Sequence, residues 1–193
     1  MLLALAGVTG IGKSYYKDKI VEKLGFEKIK IITTRQMRVG EKNNEDKIFV
    51  TPDELQILRD KGEIAYEFDM LGNTYAYSKE ELFSNKNTVF ELHYDTIFDF
   101  KKICPHLCVI YLFPKDIEIA KDMTRKRNLA PSVEKDRLIE IDEHYRRVAT
   151  DENLRNMFDY VLYNNYDKAS EDLVIRLVSK LMLEEKWKNR GIN

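Results

Sequence analysis

Short hydrophobic runs alternate along the chain with longer segments of helical periodicity. The runs predict five short strands, near residues 2, 29, 89, 109 and 161. Between them, apolar residues recur at intervals of three and four, which is typical of helices that pack on a core. Strands separated by helices in this way predict an α/β fold, a five-stranded parallel sheet with helices on both faces. We expect a single domain whose core comprises residues 1–32 and 81–193.

The segment 33–80 departs from this pattern and predicts a small, mixed α/β insertion. It starts with a long polar stretch, and loops of this length without regular structure are usually functional. Thr51, Pro52 and Glu54 then form a complete capping box, which predicts a helix that begins at Pro52. A hairpin with its turn at Gly72 is expected after this helix.

Three local predictions concern the second half of the chain. Ser132 and Ser170 each precede a helical pattern, and we expect them to cap those helices. His144 lies in a helical segment rich in charged residues, so we expect its side chain to be exposed.

Composition and charge exclude several classes of function. The chain has 193 residues and a net charge of −1, so it has no global basic field that would attract nucleic acid or a membrane surface. No apolar run approaches the length of about 18 residues that a membrane span needs. Two cysteines do not make a disulfide framework. We therefore expect a cytoplasmic protein with no nucleic-acid or membrane partner, and any anion site must be local.

Residues 7–14 carry the most specific signal in the sequence. They read G-V-T-G-I-G-K-S, which satisfies the phosphate-loop pattern G-x-x-x-x-G-K-[ST]. The motif follows the first strand at once and precedes a helix, so backbone N–H groups and the helix N-terminus would converge on a phosphate chain. Lys13 would reach the β- and γ-phosphates, and the Ser14 hydroxyl would bind Mg²⁺. The competing interpretation is a glycine-rich turn without a ligand.

Other polar residues follow predicted strand ends. Arg35 and Arg38 follow the second strand, Glu91 ends the third and Asn164 follows the fifth. Ligands of parallel sheets bind beyond the carboxyl ends of the strands, so these residues should converge near the phosphate loop. Arg35 and Arg38 could form a fork for a second phosphate group, or they could be two exposed arginines on a solvated loop. A carboxylate at position 91 would hold Mg²⁺ or its water.

Three further strings, read with the phosphate loop, carry a resemblance that covers nearly the whole chain. Residues 33–41 read T-T-R-Q-M-R-V-G-E, residues 46–50 read D-K-I-F-V and residues 72–78 read G-N-T-Y-A-Y-S. The chain resembles guanylate kinases, which carry T-T-R-x-P-R-x-G-E, D-Y-x-F-V and G-N-x-Y-G-[ST]-S at these places. A basic segment at 125–137 and the strand end at 161–165 also correspond.

The resemblance implies a P-loop NTPase fold with a helical lid near residues 125–137, and transfer of a phosphoryl group from ATP to a nucleoside monophosphate with Mg²⁺. It also implies groups of site residues. The ATP-binding residues would be Gly7, Thr9, Gly10, Ile11, Gly12, Lys13, Ser14 and Asn164. The catalytic cations would be Lys13, Arg125, Arg127 and Arg137. The acceptor-binding residues would be Thr34, Arg35, Arg38, Glu41, Lys47, Glu67, Tyr75, Tyr77, Glu91 and His93. The metal ligands would be Ser14 and Glu91.

The departures from the family pattern fall mainly on the acceptor side. Lys47 replaces a phosphate-binding tyrosine, Tyr77 replaces a small hydroxyl residue, and His93 replaces a second acidic residue. The family's base-reading glutamate aligns with Tyr66 without a gap, or with Glu67 with one. GMP is the expected acceptor, and another nucleotide or a phosphorylated sugar is the alternative. A guanylate-kinase-like binding module without catalysis is a third possibility. We expect a monomer or a homodimer.

Overall fold

The computed structural model describes residues 1–37, 40–70 and 72–189, with side chains up to residue 186. The strands, in chain order, are β1 (Leu2–Gly7), β2 (Glu27–Lys28), β3 (Ile31–Thr33), β4 (Lys47–Phe49), β5 (Ile64–Met70), β6 (Asn73–Ser78), β7 (Thr88–Glu91), β8 (Cys108–Pro114) and β9 (Tyr160–Asn164). The helices are α1 (Lys13–Leu24), α2 (Pro52–Asp60), α3 (Lys79–Leu82), α4 (Ile97–Ile103), α5 (Ile117–Arg125), α6 (Pro131–Thr150), α7 (Glu152–Arg155) and α8 (Lys168–Asn189), with a 3₁₀ turn at Tyr94–Thr96.

The main sheet has five parallel strands in the order β2-β7-β1-β8-β9, as predicted. The central strand β1 is buried on both faces, which explains its continuous apolar sequence. Its side chains alternate between two hydrophobic clusters. Ala4 and Ala6 join one cluster, while Leu3 and Leu5 join the other. The edge strand β9 instead alternates between half-buried and exposed residues over Tyr160–Tyr163.

A second sheet of four strands, in the order β4-β3-β6-β5, lies within residues 31–78. Strands β3 and β4 are parallel, whereas β6 pairs antiparallel with both β3 and β5. The predicted second strand near residue 29 was wrong in its bounds. Glu27–Lys28 pairs with β7 in the main sheet, and Ile31–Thr33 already belongs to the second sheet. The chain changes sheets at residues 29–30, where the Lys30 amide donates to a Glu81 carboxylate oxygen at 2.8 Å.

The helix starts test the local predictions. The capping box at Thr51 is confirmed, because the Thr51 side chain accepts from the Glu54 amide and the Glu54 carboxylate accepts from the Thr51 amide. Ser132 is not a cap, since α6 begins one residue earlier, at Pro131. Ser170 lies inside α8, and its amide donates at 2.8 Å to Asp167, just before the helix. A proline at the first helical position and an aspartate each displaced the predicted serine.

Among the described residues, no helix has both the length and the apolar character that a bilayer crossing requires.

Candidate active site

The loop between β1 and α1 is held in a shape that few residues other than glycine can adopt. Gly10 has a φ of +84°, and a Cβ there would lie 2.3 Å from the carbonyl oxygen of Ala120 in α5. Gly12 precedes α1 with a φ of +91°, and no described side chain caps this helix N-terminus. The positive end of α1 therefore faces the cleft beside the loop, which is the arrangement that binds phosphate groups.

Two cavities meet over this loop. The first, here called the phosphate cavity, has about 470 Å³ and is lined by the loop together with Arg127. The second, here called the inner cavity, has about 200 Å³ and extends under the second sheet. Five residues line both cavities: Thr9, Lys13, Lys47, Glu91 and Arg137. Ligands in the two cavities would therefore meet among three cationic side chains.

Lys13 is the cation at the centre of this junction. Its Nζ donates to the carbonyl oxygens of Gly7 at 2.8 Å and Val8 at 3.1 Å. Burial lowers the pKa of this ammonium group, and the nearby Glu91 carboxylate opposes that effect. The lysine is thus folded back against its own loop, with its charge close to both cavities.

A bidentate ion pair joins the inner cavity, which Arg35 lines, to the phosphate cavity, which Glu41 lines. The Arg35 Nη2 atom lies 2.8 Å and 2.9 Å from the two carboxylate oxygens of Glu41. The Nζ of Lys47 lies 3.6 Å from the same carboxylate. The structure thus brings together these three residues of the predicted acceptor group. Arg38, the other arginine predicted for the acceptor group, lies outside the described residues.

Aromatic rings form one wall of the inner cavity. The ring of Tyr75 stacks on Phe68 with centroids 5.5 Å apart, and both residues line the cavity. Tyr77 is almost fully buried, and its hydroxyl donates to the main-chain carbonyl of Glu91 at 3.2 Å. The large ring at position 77 thus ties the second sheet to the end of β7.

Two predicted acceptor residues, Glu67 and Thr34, line neither of these cavities. Glu67 is on the opposite face of β5 from Phe68, and its carboxylate is 2.8 Å from Arg59 Nε. The Thr34 hydroxyl accepts from the Thr74 amide at 3.0 Å and so braces β6. Strand alternation and local pairing take both residues out of the acceptor group.

On the ATP side, Arg125 faces solvent and pairs with Asp122 at 2.5 Å, away from both cavities. Asn164 is buried and holds the loop itself. Its Nδ2 donates to the Ile11 carbonyl at 2.7 Å, and its Oδ1 accepts from the Tyr16 hydroxyl at 2.6 Å. Arg125 thus makes an ion pair within its own helix, outside these two cavities, whereas Asn164 supports the phosphate loop.

A third cavity of about 420 Å³ adjoins the phosphate cavity at Gly12 and Tyr15. It is lined in part by Tyr16, Tyr166 and Asn164. No motif in the sequence singles out Tyr15 or Tyr166, because aromatic residues at a helix start and in a loop normally serve packing. Walls of this kind suit a ligand that contains a flat, partly apolar ring.

Glu91 combines burial with a strong cationic environment. Burial alone would raise the pKa of its carboxyl group, but Lys17 and Lys13 hold it below the usual value. Ser14 contributes to the same lowering of the pKa, and Ser14 and Glu91 both line the phosphate cavity. The two predicted metal ligands are thus adjacent, and both are hard oxygen donors that suit Mg²⁺. In the part of the chain that is described, no three His, Cys, Asp or Glu side chains are grouped so that they could hold a metal ion by themselves.

Sequence reasoning missed a group of residues on α6 and beside β7. His144, expected to be exposed, is buried, stacks on Tyr94 with centroids 3.6 Å apart, and shares a hydrogen bond of 3.2 Å with the Tyr111 hydroxyl. Burial lowers the pKa of His144 to about 3. Glu140 forms an ion pair with Arg137 and lies 3.6 Å from His93 Nε2.

The environment of Glu140 keeps it ionised. Burial alone would raise the pKa of this carboxyl group, but the neighbouring His93 and the charge of Arg137 lower it to about 2. The spacing of three residues between Arg137 and Glu140 was a usable signal for their pairing. The burial of His144 had no signal in the sequence, because it depends on the turn at Tyr94.

Known proteins are similar to this chain in sequence and in fold. The family model "Guanylate kinase" matches residues 1–180. The guanylate kinase of Malacoplasma penetrans is 24% identical over 96% of this chain and 95% of its own length. That of Lactobacillus delbrueckii subsp. bulgaricus is 32% identical over 66% of this chain and 65% of its own length. The crystal structure of guanylate kinase from Anaplasma phagocytophilum has a TM-score of 0.67 at 23% identity, and the match covers 100% of this chain and 96% of that one. The structural similarity shows a common fold.

Proposed function

This chain belongs to the guanylate kinase family, and we propose that it transfers the γ-phosphoryl group of ATP to GMP. The family consists of nucleoside monophosphate kinases, and the chain is an enzyme of this class. The observation that supports the proposal best is the junction of the phosphate cavity and the inner cavity at Lys13. A donor and an acceptor phosphate need such a junction, because the acceptor oxygen attacks the γ-phosphorus directly.

The proposed roles of the side chains follow from their charges. The transition state of phosphoryl transfer spreads negative charge over the phosphoryl oxygens, so catalysis requires positioning and charge stabilisation. Lys13, Arg127 and Arg137 line the phosphate cavity and would supply positive charge there. Arg35 and Lys47 line the inner cavity and would bind the acceptor phosphate. The reaction needs no nucleophilic side chain, because the acceptor phosphate is itself the nucleophile.

Mg²⁺ is part of the proposal. The adjacent hydroxyl of Ser14 and carboxylate of Glu91 would hold the ion, directly or through water. When bound, Mg²⁺ supplies positive charge to the phosphate oxygens. The third cavity, with Tyr15 and Tyr166, is proposed as the site of the ATP base.

A different acceptor is the second candidate, and the inner cavity provides a specific reason for it. Its three carboxylates, Asp46, Glu91 and Glu140, are each engaged in ion pairs. The Tyr66 hydroxyl instead lies 3.4 Å from Asp99, and Glu67 points away. Among the described residues that line the inner cavity, no carboxylate is therefore free of an ion pair and available to guanine, which favours testing other nucleotides and phosphorylated sugars.

The test is an assay of ADP release with GMP, dGMP, AMP, UMP, CMP and ribose bisphosphate in parallel. We expect turnover with GMP, and a loss of about 1000-fold in a Lys13→Ala control. Turnover with another acceptor alone would replace the guanylate assignment by the second candidate. Absence of turnover with every acceptor, together with absence of ATP binding, would contradict the kinase function and favour a binding module.

Closure and context complete the proposal. We propose that the chain is a single domain, with a core of residues 1–32 and 81–193 and an insertion of residues 33–80. We also propose that this insertion and the segment 125–137 close over the substrates to exclude water. We also propose a cytoplasmic location, because ATP and nucleoside monophosphates are metabolites of the cytoplasm. Sedimentation would decide between a monomer and a homodimer.

A further inference from the structure

Lys17 is a buried cation that the roles above leave unused. It lies in α1 one turn after Lys13, so the two side chains are on the same side of the helix. The residue is only 5% exposed and lines the inner cavity. A lysine is rarely so deeply buried unless its charge is compensated. Two carboxylates compensate the charge of Lys17.

The partners of Lys17 come from the two different sheets. Its Nζ lies 3.0 Å from Glu91 at the end of β7, in the main sheet. It also lies 3.2 Å from Asp46, in the segment that leads into β4 of the second sheet. A single ammonium group thus joins the core to the second sheet at the wall of the inner cavity.

The position of Asp46 links this bridge to the proposed acceptor site. The next residue, Lys47, is the first residue of β4 and lines both the inner cavity and the phosphate cavity. Lys47 contacts Glu41, which holds Arg35 in the bidentate pair. Fixing Asp46 on the core therefore fixes the two acceptor cations relative to the phosphate loop.

We propose that Lys17 is a positioning residue for phosphoryl transfer, whose bridge between Glu91 and Asp46 sets the acceptor cations at the correct distance from Lys13. The inference rests on the proposed function. Positioning is a large part of catalysis in such reactions, and a shift of about 1 Å costs up to about 100-fold in rate. Lys17 lines the inner cavity and not the phosphate cavity, which places it on the acceptor side of Lys13.

The bridge can be removed without leaving a bare buried charge. Asp46 also pairs with Lys28 at 2.9 Å, and Lys28 in turn pairs with Asp18 at 2.7 Å. Glu91 retains the nearby positive charge of Lys13. A Lys17→Met variant should therefore fold, because the cost of breaking a buried ion pair comes mainly from the partner that stays unpaired.

The experiment compares Lys17→Met with Lys19→Met, a matched change on the same helix whose side chain pairs with Glu22 instead. With the best acceptor found for the wild type, we expect Lys17→Met to raise the acceptor KM by about tenfold. The Kd of ATP, measured by calorimetry, should not change, and Lys19→Met should match the wild type in both. Asp46→Asn is the second variant. It should also raise the acceptor KM, although Lys17 keeps its ion pair with Glu91.

The double variant Lys17→Met/Asp46→Asn should be no worse than the more impaired single variant, because both changes break one bridge. Additive effects would overturn the inference, as would an unchanged acceptor KM in Asp46→Asn or an equal loss of ATP binding in Lys17→Met. If Lys17→Met fails to fold, Asp46→Asn alone decides. A wild type that turns over no acceptor contradicts the proposed function itself, and this outcome is distinct from active variants with an unchanged KM.

Discussion

The phosphate loop and the inner cavity are neighbours, but they are held together in different ways. The loop comprises consecutive residues, and its shape follows from backbone geometry at glycines such as Gly10 and from the start of α1. The inner cavity draws on β3, β5, β6, β7 and α6, and ion pairs between distant residues hold its charged groups. A site made by one short segment tolerates change around it, whereas a site made by many segments changes with each of them.

This difference matches the pattern of departures from the family. The phosphate loop agrees with its motif at every fixed position, whereas Lys47, Tyr77 and His93 all depart from the family on the acceptor side. Tyr77 illustrates how the second region adapts, because its ring packs edge-on against Phe90 and Phe100 and its hydroxyl bonds to the main chain. A residue at a family site position here has a packing role.

The largest expected effect is on the loop. Lys13→Ala should lower kcat by about 1000-fold, since it removes a charge that stabilises the transition state. The assay is ADP release, and thermal unfolding by circular dichroism should show that the fold persists. An active Lys13→Ala variant would break the comparison, because the loop would then be dispensable.

The next effect is on the acceptor cations. Arg35→Met should raise the acceptor KM by about 100-fold, because a charge-assisted contact to a phosphate contributes roughly 1.5–3 kcal/mol, and it should leave ATP binding intact. Arg59→Met is the matched control, since Arg59 pairs with Glu67 on the outer face of β5. Equal changes in the two variants would show that the Arg35–Glu41 pair is structural only.

A smaller effect concerns the boundary between the regions, where His144 is buried. Its pKa is lowered from 6.5 to about 3, so the unfolded chain takes up a proton that the folded chain refuses. Stability is then complete above pH 6.5 and falls by about 1.4 kcal/mol per pH unit as the pH decreases below it. Glu140 adds to this pH dependence of stability only at lower pH, where its carboxyl group is protonated in the unfolded chain.

Urea unfolding at pH 6.5 and about pH 5 measures this slope within the His144 window. His144→Gln should flatten the slope, because glutamine can bond to Tyr111 without titrating. His106→Gln, which changes an exposed histidine, should leave the slope unchanged. A wild-type stability that does not depend on pH in this range would mean that His144 is not buried in the neutral form.

The smallest effect is expected for Glu67→Gln. Its carboxylate faces Arg59 and not the inner cavity, so the acceptor KM and kcat should both match the wild type. Steady-state kinetics with the preferred acceptor measures this directly. A large rise in the acceptor KM would restore Glu67 to the acceptor site and show that β5 turns when substrate binds.

The sequence determined the features that depend on neighbouring residues. The phosphate loop, the capping box at Thr51 and the five-stranded parallel sheet follow from local backbone rules and hydrophobic periodicity. Only the tertiary structure decided that Glu67 faces outward, that Asn164 supports the loop, and that His144 is buried. These outcomes depend on which strand face or helix turn packs against another element, and that packing is set by contacts between residues far apart in the chain. The bridge of Lys17 shows both: helical spacing placed it beside Lys13, but the partner Asp46 came from the other sheet.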